Sequence, residues 1–335
     1  MNRELYAEDL RYAAGDAGFL SGRRVLVTGA TGLVGSFLVD ALTAAGIEVT
    51  CAARDERAVR RRFGENVRYV HYDATKPLEF GFDWDYVVHA ACSAHPLAYA
   101  TDPVGTMQAN LLGARNLLEA LKGHPGARLL FLSTGEIYGE NPGLPGGFSE
   151  TDHGYVDSIR PRSCYPESKR AAETLCACYA AQYGVQAVVA RLCHVYGPTF
   201  TQTNSRADAQ FLRNALAGQD IVMKSQGSQV RSWCYVADAV NAILTLLRVG
   251  EPGQAYNVAN RNAVASIREY AETLARIGGV RLKFDLPPDV ERAGYTNVTR
   301  AVLDPRKLEA LGWSARYDLE TGLRHAFECA EKNLL

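Results

Sequence analysis

The sequence has no run of apolar residues long enough to span a bilayer, because charges interrupt every hydrophobic stretch. It also lacks a long basic tract, and its formal net charge of -1 leaves no electrostatic footprint for nucleic acid. Its eight cysteines are scattered and form no CxxC pair, so they read as free thiols of a cytoplasmic chain rather than as a disulfide framework. The seven histidines include no HExxH or comparable ligand spacing, which argues against a metal site. The N-terminus, Met1-Asn2-Arg3-Glu4-Leu5, is charged where a signal peptide would be apolar. Repeats and low-complexity tracts are missing too. What is there is 335 residues, 47% of them hydrophobic, enough for one large domain or for one domain with a smaller lobe attached.

Hydrophobic periodicity organises the chain. Residues 1–21 form an N-terminal extension in which Leu5, Tyr6, Leu10 and Tyr12 fall near one helical face, suited to packing on the body or on a second subunit. From Arg24 short apolar runs alternate with helical patterns. Strands are expected at 25–27, 49–53, 67–72, 86–91, 129–133 and 187–192, and long helices at 103–121 and 165–183. Nearly continuous apolar strands alternating with helices predict an α/β fold, a Rossmann-type doubly wound parallel sheet with helices on both faces. Residues 22–195 are read as the dinucleotide-binding part. Residues 196–335 are read mainly as a smaller C-terminal substrate lobe, with some segments returning to the sheet. Breaker-rich stretches stand at Asn141–Gly147 and at Pro287-Pro288.

Two motifs carry chemistry. Thr28-Gly29-Ala30-Thr31-Gly32-Leu33-Val34-Gly35 lies between a strand and a helix, where glycines let backbone approach a pyrophosphate at a helix N-terminus. This marks Gly29, Thr31, Gly32, Leu33, Val34 and Gly35 as cofactor-binding. At the end of the second strand, Ala53 stands where many NAD-binding relatives place an acidic residue, and Arg54 follows. A guanidinium in place of a carboxylate suits a 2′-phosphate, which tilts the reading from NAD toward NADP. Further on, Tyr165 and Lys169 sit four residues apart at the start of a helix and point the same way. A phenol is a poor base with its pKa near 10. A lysine one turn away and a positive nicotinamide ring would both favour the phenolate, able to take a proton from a sugar hydroxyl.

The GxxGxxG spacing, the Ser133-Thr134-Gly135-Glu136 segment and the Tyr165–Lys169 pair together resemble the extended short-chain dehydrogenase/reductases, the NAD-dependent epimerase/dehydratase family that modifies nucleotide sugars. The resemblance runs from about Arg24 over nearly the whole chain, through Arg191–Pro198, Val230–Asp238 and Leu311-Gly312-Trp313. It implies a role for Asp73 and Ala74 near the adenine, for His89, Ala90 and Ala91 along the cofactor, and for Lys169 on the nicotinamide ribose. Thr134 would share the reacting proton with Tyr165, and Glu136 would act as a base or as a sugar contact. Ser93, His194, Arg231 and Arg300 are the implied substrate contacts, the arginines for the diphosphate. Arg162-Ser163-Cys164-Tyr165 with Lys169-Arg170 and Thr134-x-Glu136 resembles UDP-glucuronate decarboxylases, Thr134-x-Glu136 also resembles dTDP-glucose 4,6-dehydratases, and Thr134 with Tyr165 alone resembles 4-epimerases. The family resemblance implies an epimerase/dehydratase-type reaction through transient oxidation of the sugar at C4, with decarboxylation as the alternative. Dehydratases carry Asp where this chain has Gly135, and relatives usually carry Asn where it has His194. The resemblance also implies a homodimer. A carbonyl reductase and a non-catalytic dinucleotide sensor are the competing classes. Cys164 beside Tyr165 reads as a packing residue.

Overall fold

The computed structural model describes residues 1–92, 94–140, 144, 146–202, 204–286 and 298–330. Ser93, part of the 141–147 loop (141–143 and 145) and Pro287-Pro288 lie outside the described residues. The helices are α1 (Arg3–Ala14), α2 (Leu33–Ala44), α3 (Glu56–Phe63), α4 (Pro96–Thr101), α5 (Pro103–Leu121), α6 (Cys164–Tyr183), α7 (Ala207–Leu216), α8 (Val236–Val249), α9 (Ile267–Gly278), α10 (Arg306–Glu309) and α11 (Leu319–Cys329). The strands are β1 (Val25–Thr28), β2 (Val49–Ala53), β3 (Arg68–His71), β4 (Tyr86–His89), β5 (Arg128–Thr134), β6 (Gln186–Leu192), β7 (His194–Tyr196), β8 (Ile221–Met223), β9 (Val230–Tyr235), β10 (Ala255–Val258), β11 (Val264–Ser266), β12 (Leu282–Phe284) and β13 (Arg300–Ala301).

Seven strands form one parallel sheet in the order β10-β6-β5-β4-β1-β2-β3. The expected doubly wound fold is what the chain adopts. Val25 to Thr28 are buried along their whole length, as a strand covered on both faces must be. One apolar core, with Leu117, Leu118, Cys176 and Tyr179, lies under α5 and α6. The other, with Leu38, Leu42, Ile243 and Leu247, lies under α2 and α8. Chain order reverses at β1, which has β2 on one side and β4 on the other, and a crevice opens at the carboxyl ends of the strands there. Strand β10, far along the chain, closes the sheet beside β6. The chain after β6 also builds a four-stranded sheet from β7, β9, β11 and β13, and a pair from β8 and β12.

Helix α1 packs against α2, α8 and α11. The face it buries differs from the amphipathic reading. Tyr6, Leu10 and Ala13 are inside, but so is Asp9, while Leu5 and Tyr12 are half-buried. Asp9 is tolerated there because partners distant in sequence meet its carboxylate. Tyr235 and Tyr317 donate hydroxyls at 2.6 and 2.7 Å, and His325 Nδ1 lies 2.8 Å away. Removing the carboxylate would leave several buried donors unsatisfied. Asp9→Ala is therefore expected to cost roughly 3 kcal/mol or more of stability in urea denaturation. A loss under about 0.5 kcal/mol, the size of an ordinary surface substitution, would contradict this.

Candidate active site

The glycine turn leaves β1 with Gly29 at φ 66, in the left-handed region, and a Cβ there would lie 2.6 Å from the Ala90 carbonyl oxygen. A Cβ at Gly35 would collide with the Gly29 carbonyl. Backbone from β1, α2 and β4 therefore closes to a separation that side chains would prevent. Gly32 is the N-cap of α2 and supplies no side-chain acceptor, so the first N–H groups of the helix stay available to an anion. These features fit the pyrophosphate of a dinucleotide. Gly29, Gly32, Leu33, Val34, Gly35 and Ala90 all line one cavity of about 420 Å³. Thr31 and Ala91 belong to the same two turns but are not among its lining residues.

Arg54 is exposed just beyond β2 and is not among the residues lining the cavity. The neighbouring Asp55 is engaged as the N-cap of α3, accepting from Arg57 N at 2.9 Å. Asp73 accepts from the Thr75 N–H and hydroxyl, which holds its carboxyl below the usual range, and Ala74 is buried beside it. His89 does not face the cavity. Its ring is buried between Tyr72 and Phe131, with Nδ1 2.7 Å from Thr28 Oγ1. Burial lowers its pKa to about 3, so the ring is neutral and acts as core.

The reacting end is built by the tips of β5 and β6 and the start of α6. Thr134 and Tyr165 share a side-chain hydrogen bond. Glu136 sits in the 3-10 turn Gly135–Tyr138 that follows Thr134. Lys169 is buried below them, donating Nζ to the Leu132 carbonyl at 2.7 Å and lying 6.0 Å from the centre of the Tyr165 ring. The sequence reading gave Lys169 the task of favouring the phenolate. In the structure burial dominates and holds the Tyr165 phenol well above its ordinary value, with Cys92 and Glu136 adding to the rise. The Thr134 hydrogen bond and the Arg206 charge pull the other way. Cys164 is buried against Tyr99 and Tyr165, and burial pushes its thiol up, as a packing residue and not a nucleophile would have it.

The remaining wall is polar and cationic. Arg231 is buried on β9, donating to the carbonyls of Val230 and Val298 at 2.9 and 2.8 Å. Among the described residues it makes no ion pair, and burial brings its pKa down to about 10. His194 on β7 lines the same cavity. Arg300 does not, although Ala301 and Leu303 do, because neighbours along a strand point to opposite faces.

Several lining residues escaped the sequence reading. Tyr99 stacks on Tyr165, with centroids 4.8 Å apart and planes at 22°. Arg162 lies over Tyr99 at 4.5 Å and donates to Glu136 at 2.9 Å. Leu303 fills the space beside Gly135, where a Cβ would meet its Cδ1 at 2.8 Å. Arg206 enters ahead of α7 and donates to Asp208 at 3.0 Å. Arg162 had a visible signal, three residues before Tyr165 in a quoted motif. Tyr99 sits on a six-residue helix too short to show periodicity.

Residues 25–259 match the family model described as the NAD dependent epimerase/dehydratase family. UDP-glucuronic acid decarboxylase 1 of Xenopus tropicalis is 33% identical over 319 residues, covering 93% of this chain and 73% of that protein. UDP-glucuronic acid decarboxylase 6 of Arabidopsis thaliana is 33% identical over 319 residues, 91% of this chain and 88% of that one. Among solved structures, Thermus thermophilus UDP-glucose 4-epimerase in complex with NAD superposes with a TM-score of 0.78 at 29% identity, over 91% of this chain and 98% of that one. Thermotoga maritima UDP-glucose 4-epimerase with UDP-glucose gives 0.79 at 25% identity, over 91% and 97%. With a dinucleotide turn, Thr134 and Tyr165 at one cavity and Lys169 buried behind it, the chain is an enzyme of the NAD-dependent epimerase/dehydratase family, of the extended short-chain dehydrogenase/reductase type.

Proposed function

We propose that this enzyme decarboxylates a nucleotide-linked uronic acid, with UDP-glucuronic acid as substrate and NADP, recycled in each turnover, as cofactor. Residues 22–195 would hold the dinucleotide and residues 196–335 mainly the sugar nucleotide, in a cytoplasmic homodimer. Among the described residues no helix is long and apolar enough to cross a membrane.

Tyr165, through its hydrogen bond with Thr134, takes the proton of the sugar C4 hydroxyl. A bound nicotinamide would supply a reversible hydride acceptor for C4. Lys169, whose amine donates to the Leu132 carbonyl behind the cavity, would hold the nicotinamide ribose once released from that carbonyl. Arg162 keeps Glu136 in an ion pair, which orients it as a hydrogen-bond acceptor for the ring. Arg231 receives the diphosphate.

The observation that carries the reading is the acid-free wall at Gly135. Elimination of water needs an acid for the leaving hydroxyl, and here Leu303 occupies the space beside a residue without a side chain. Once C4 is a ketone, a C5 carboxylate is that of a β-keto acid; its loss as carbon dioxide leaves the electron pair in a C4–C5 enolate, which takes a proton from water at C5, and neither step asks an acid of Gly135. Names of relatives at 33% identity support the same choice. A 4-epimerase uses the same Tyr165 and Thr134, and two similar solved structures carry that name.

Mass spectrometry of UDP-glucuronic acid incubated with the enzyme and cofactor separates these readings. Loss of carbon dioxide is expected. An unchanged mass with inverted C4 would make it an epimerase, and net oxidation or reduction matched by cofactor would make it a simple dehydrogenase or reductase.

Cofactor choice rests on Arg54, exposed at the tip of β2, and on Asp55 being spent in the α3 cap. Arg54→Ala is expected to weaken NADP about tenfold or more relative to NAD, since one charge-assisted phosphate contact contributes about 1.5–3 kcal/mol. Equal loss for both cofactors in binding titrations would contradict that.

A further inference from the structure

His194 stands where two guanidiniums converge. Strand β7 runs parallel to β9 with His194 opposite Trp233, and its ring meets the indole edge-on at 5.4 Å. Arg231, two residues before Trp233, shares that face of β9. Arg206 donates Nη2 to the carbonyl of Val195, the next residue after His194, at 2.9 Å. All three side chains line the same cavity. Arg206 Nε is buried with no hydrogen-bond partner among the described residues, which marks a donor lacking its acceptor.

The charges around His194 can be counted from each element packed near it. From the segment leading into α7 come Arg206 and Asp208, paired at 3.0 Å and therefore neutral together. From β9 comes Arg231, bonded to carbonyls and to no carboxylate. Trp233 is uncharged, as is Tyr270 of α9 stacked behind it at 4.2 Å. Glu136 and Glu140 act on Arg231, and Glu136 is already held by Arg162. The Glu140 carboxylate accepts only from Thr299 among the described residues and is not cancelled, so the local sum is zero. Burial first, then Arg231 and Arg206, hold the His194 imidazole far below its ordinary value, so it is neutral in the free site.

A nucleoside diphosphate sugar brings two negative charges on its diphosphate, which leaves the filled pocket with two uncompensated negative charges. We propose that His194 takes up a proton to offset one of them, so that with Arg206 and Arg231 it forms a three-cation diphosphate pocket completed by protonation when the ligand binds. One buffer acid loses its proton and one imidazole nitrogen gains it. The inference rests on the nucleotide-sugar reading of the cavity. Its consequence is a substrate affinity that falls as pH rises.

The test is calorimetric titration of the cofactor-loaded protein with UDP-glucose, whose diphosphate does not titrate near neutrality. Two buffers of different ionisation enthalpy give the number of protons taken up. About one proton per site is expected at pH 7, with affinity falling by about tenfold per pH unit across the neutral range. His194→Asn is expected to bind with no uptake and a flat pH profile. Equal uptake by both proteins, or binding by the native protein without uptake, overturns the role of His194. No binding at all overturns the nucleotide-sugar reading as well. The native pH profile stands without the variant, so a folding defect in His194→Asn would not rescue the idea.

Discussion

Tyr165→Phe is expected to lower kcat by about 10²–10⁴-fold, the usual contribution of a positioned general base, while binding of cofactor and sugar nucleotide changes little. The substitution is clean because Phe preserves the ring that stacks on Tyr99 and the packing against Cys164. What it removes is the hydroxyl and its bond to Thr134. The pH profile gives a second reading. Burial raises the Tyr165 phenol, so its basic form is scarce at neutral pH and kcat, measured at saturating substrate, is expected to increase with pH. Thr134 lowers the same group, so Thr134→Val should move the rising limb to higher pH. A Tyr165→Phe enzyme with full turnover, or a Thr134→Val limb shifted to lower pH, would remove Tyr165 from the chemistry.

The second large effect belongs to Arg231. A buried guanidinium whose hydrogen bonds among the described residues go to carbonyls is costly to the empty protein and valuable once an anion arrives. Arg231→Met should therefore weaken sugar-nucleotide binding by about 10²–10³-fold, as truncating a buried charged contact does. The free protein should not lose stability in the same proportion, since Met fills much of the volume without the desolvation cost. Calorimetry and thermal unfolding on the same variant separate the two quantities. Unchanged affinity with a large drop in Tm would make Arg231 a structural residue.

Much of this site was legible in the sequence because local pattern determines it. The turn at Gly29–Gly35 needs a strand before it and a helix after it, and both lie within twenty residues. Tyr165 and Lys169 face one way through helix geometry alone. Strand β2 was readable to the residue because it is buried on both faces. What the sequence withheld depends on contacts between distant segments. Asp9 reads as a surface charge until Tyr235, Tyr317 and His325 arrive from more than 200 residues away. Leu303 gives no local sign that it will lie against Gly135. The balance at Tyr165 was misjudged for the same reason. Spacing brings Lys169 near, but the Leu132 carbonyl claims its amine, and burial against Tyr99 of α4, Cys164 and Cys92 sets the phenol.

The central claim is that the sugar is oxidised and re-reduced at one carbon within one site. UDP-glucuronic acid carrying deuterium at C4, turned over with far less cofactor than substrate, tests it most directly. The account expects many turnovers per cofactor and product that retains deuterium at C4. Deuterium recovered in free reduced cofactor, one for each product formed, would contradict it.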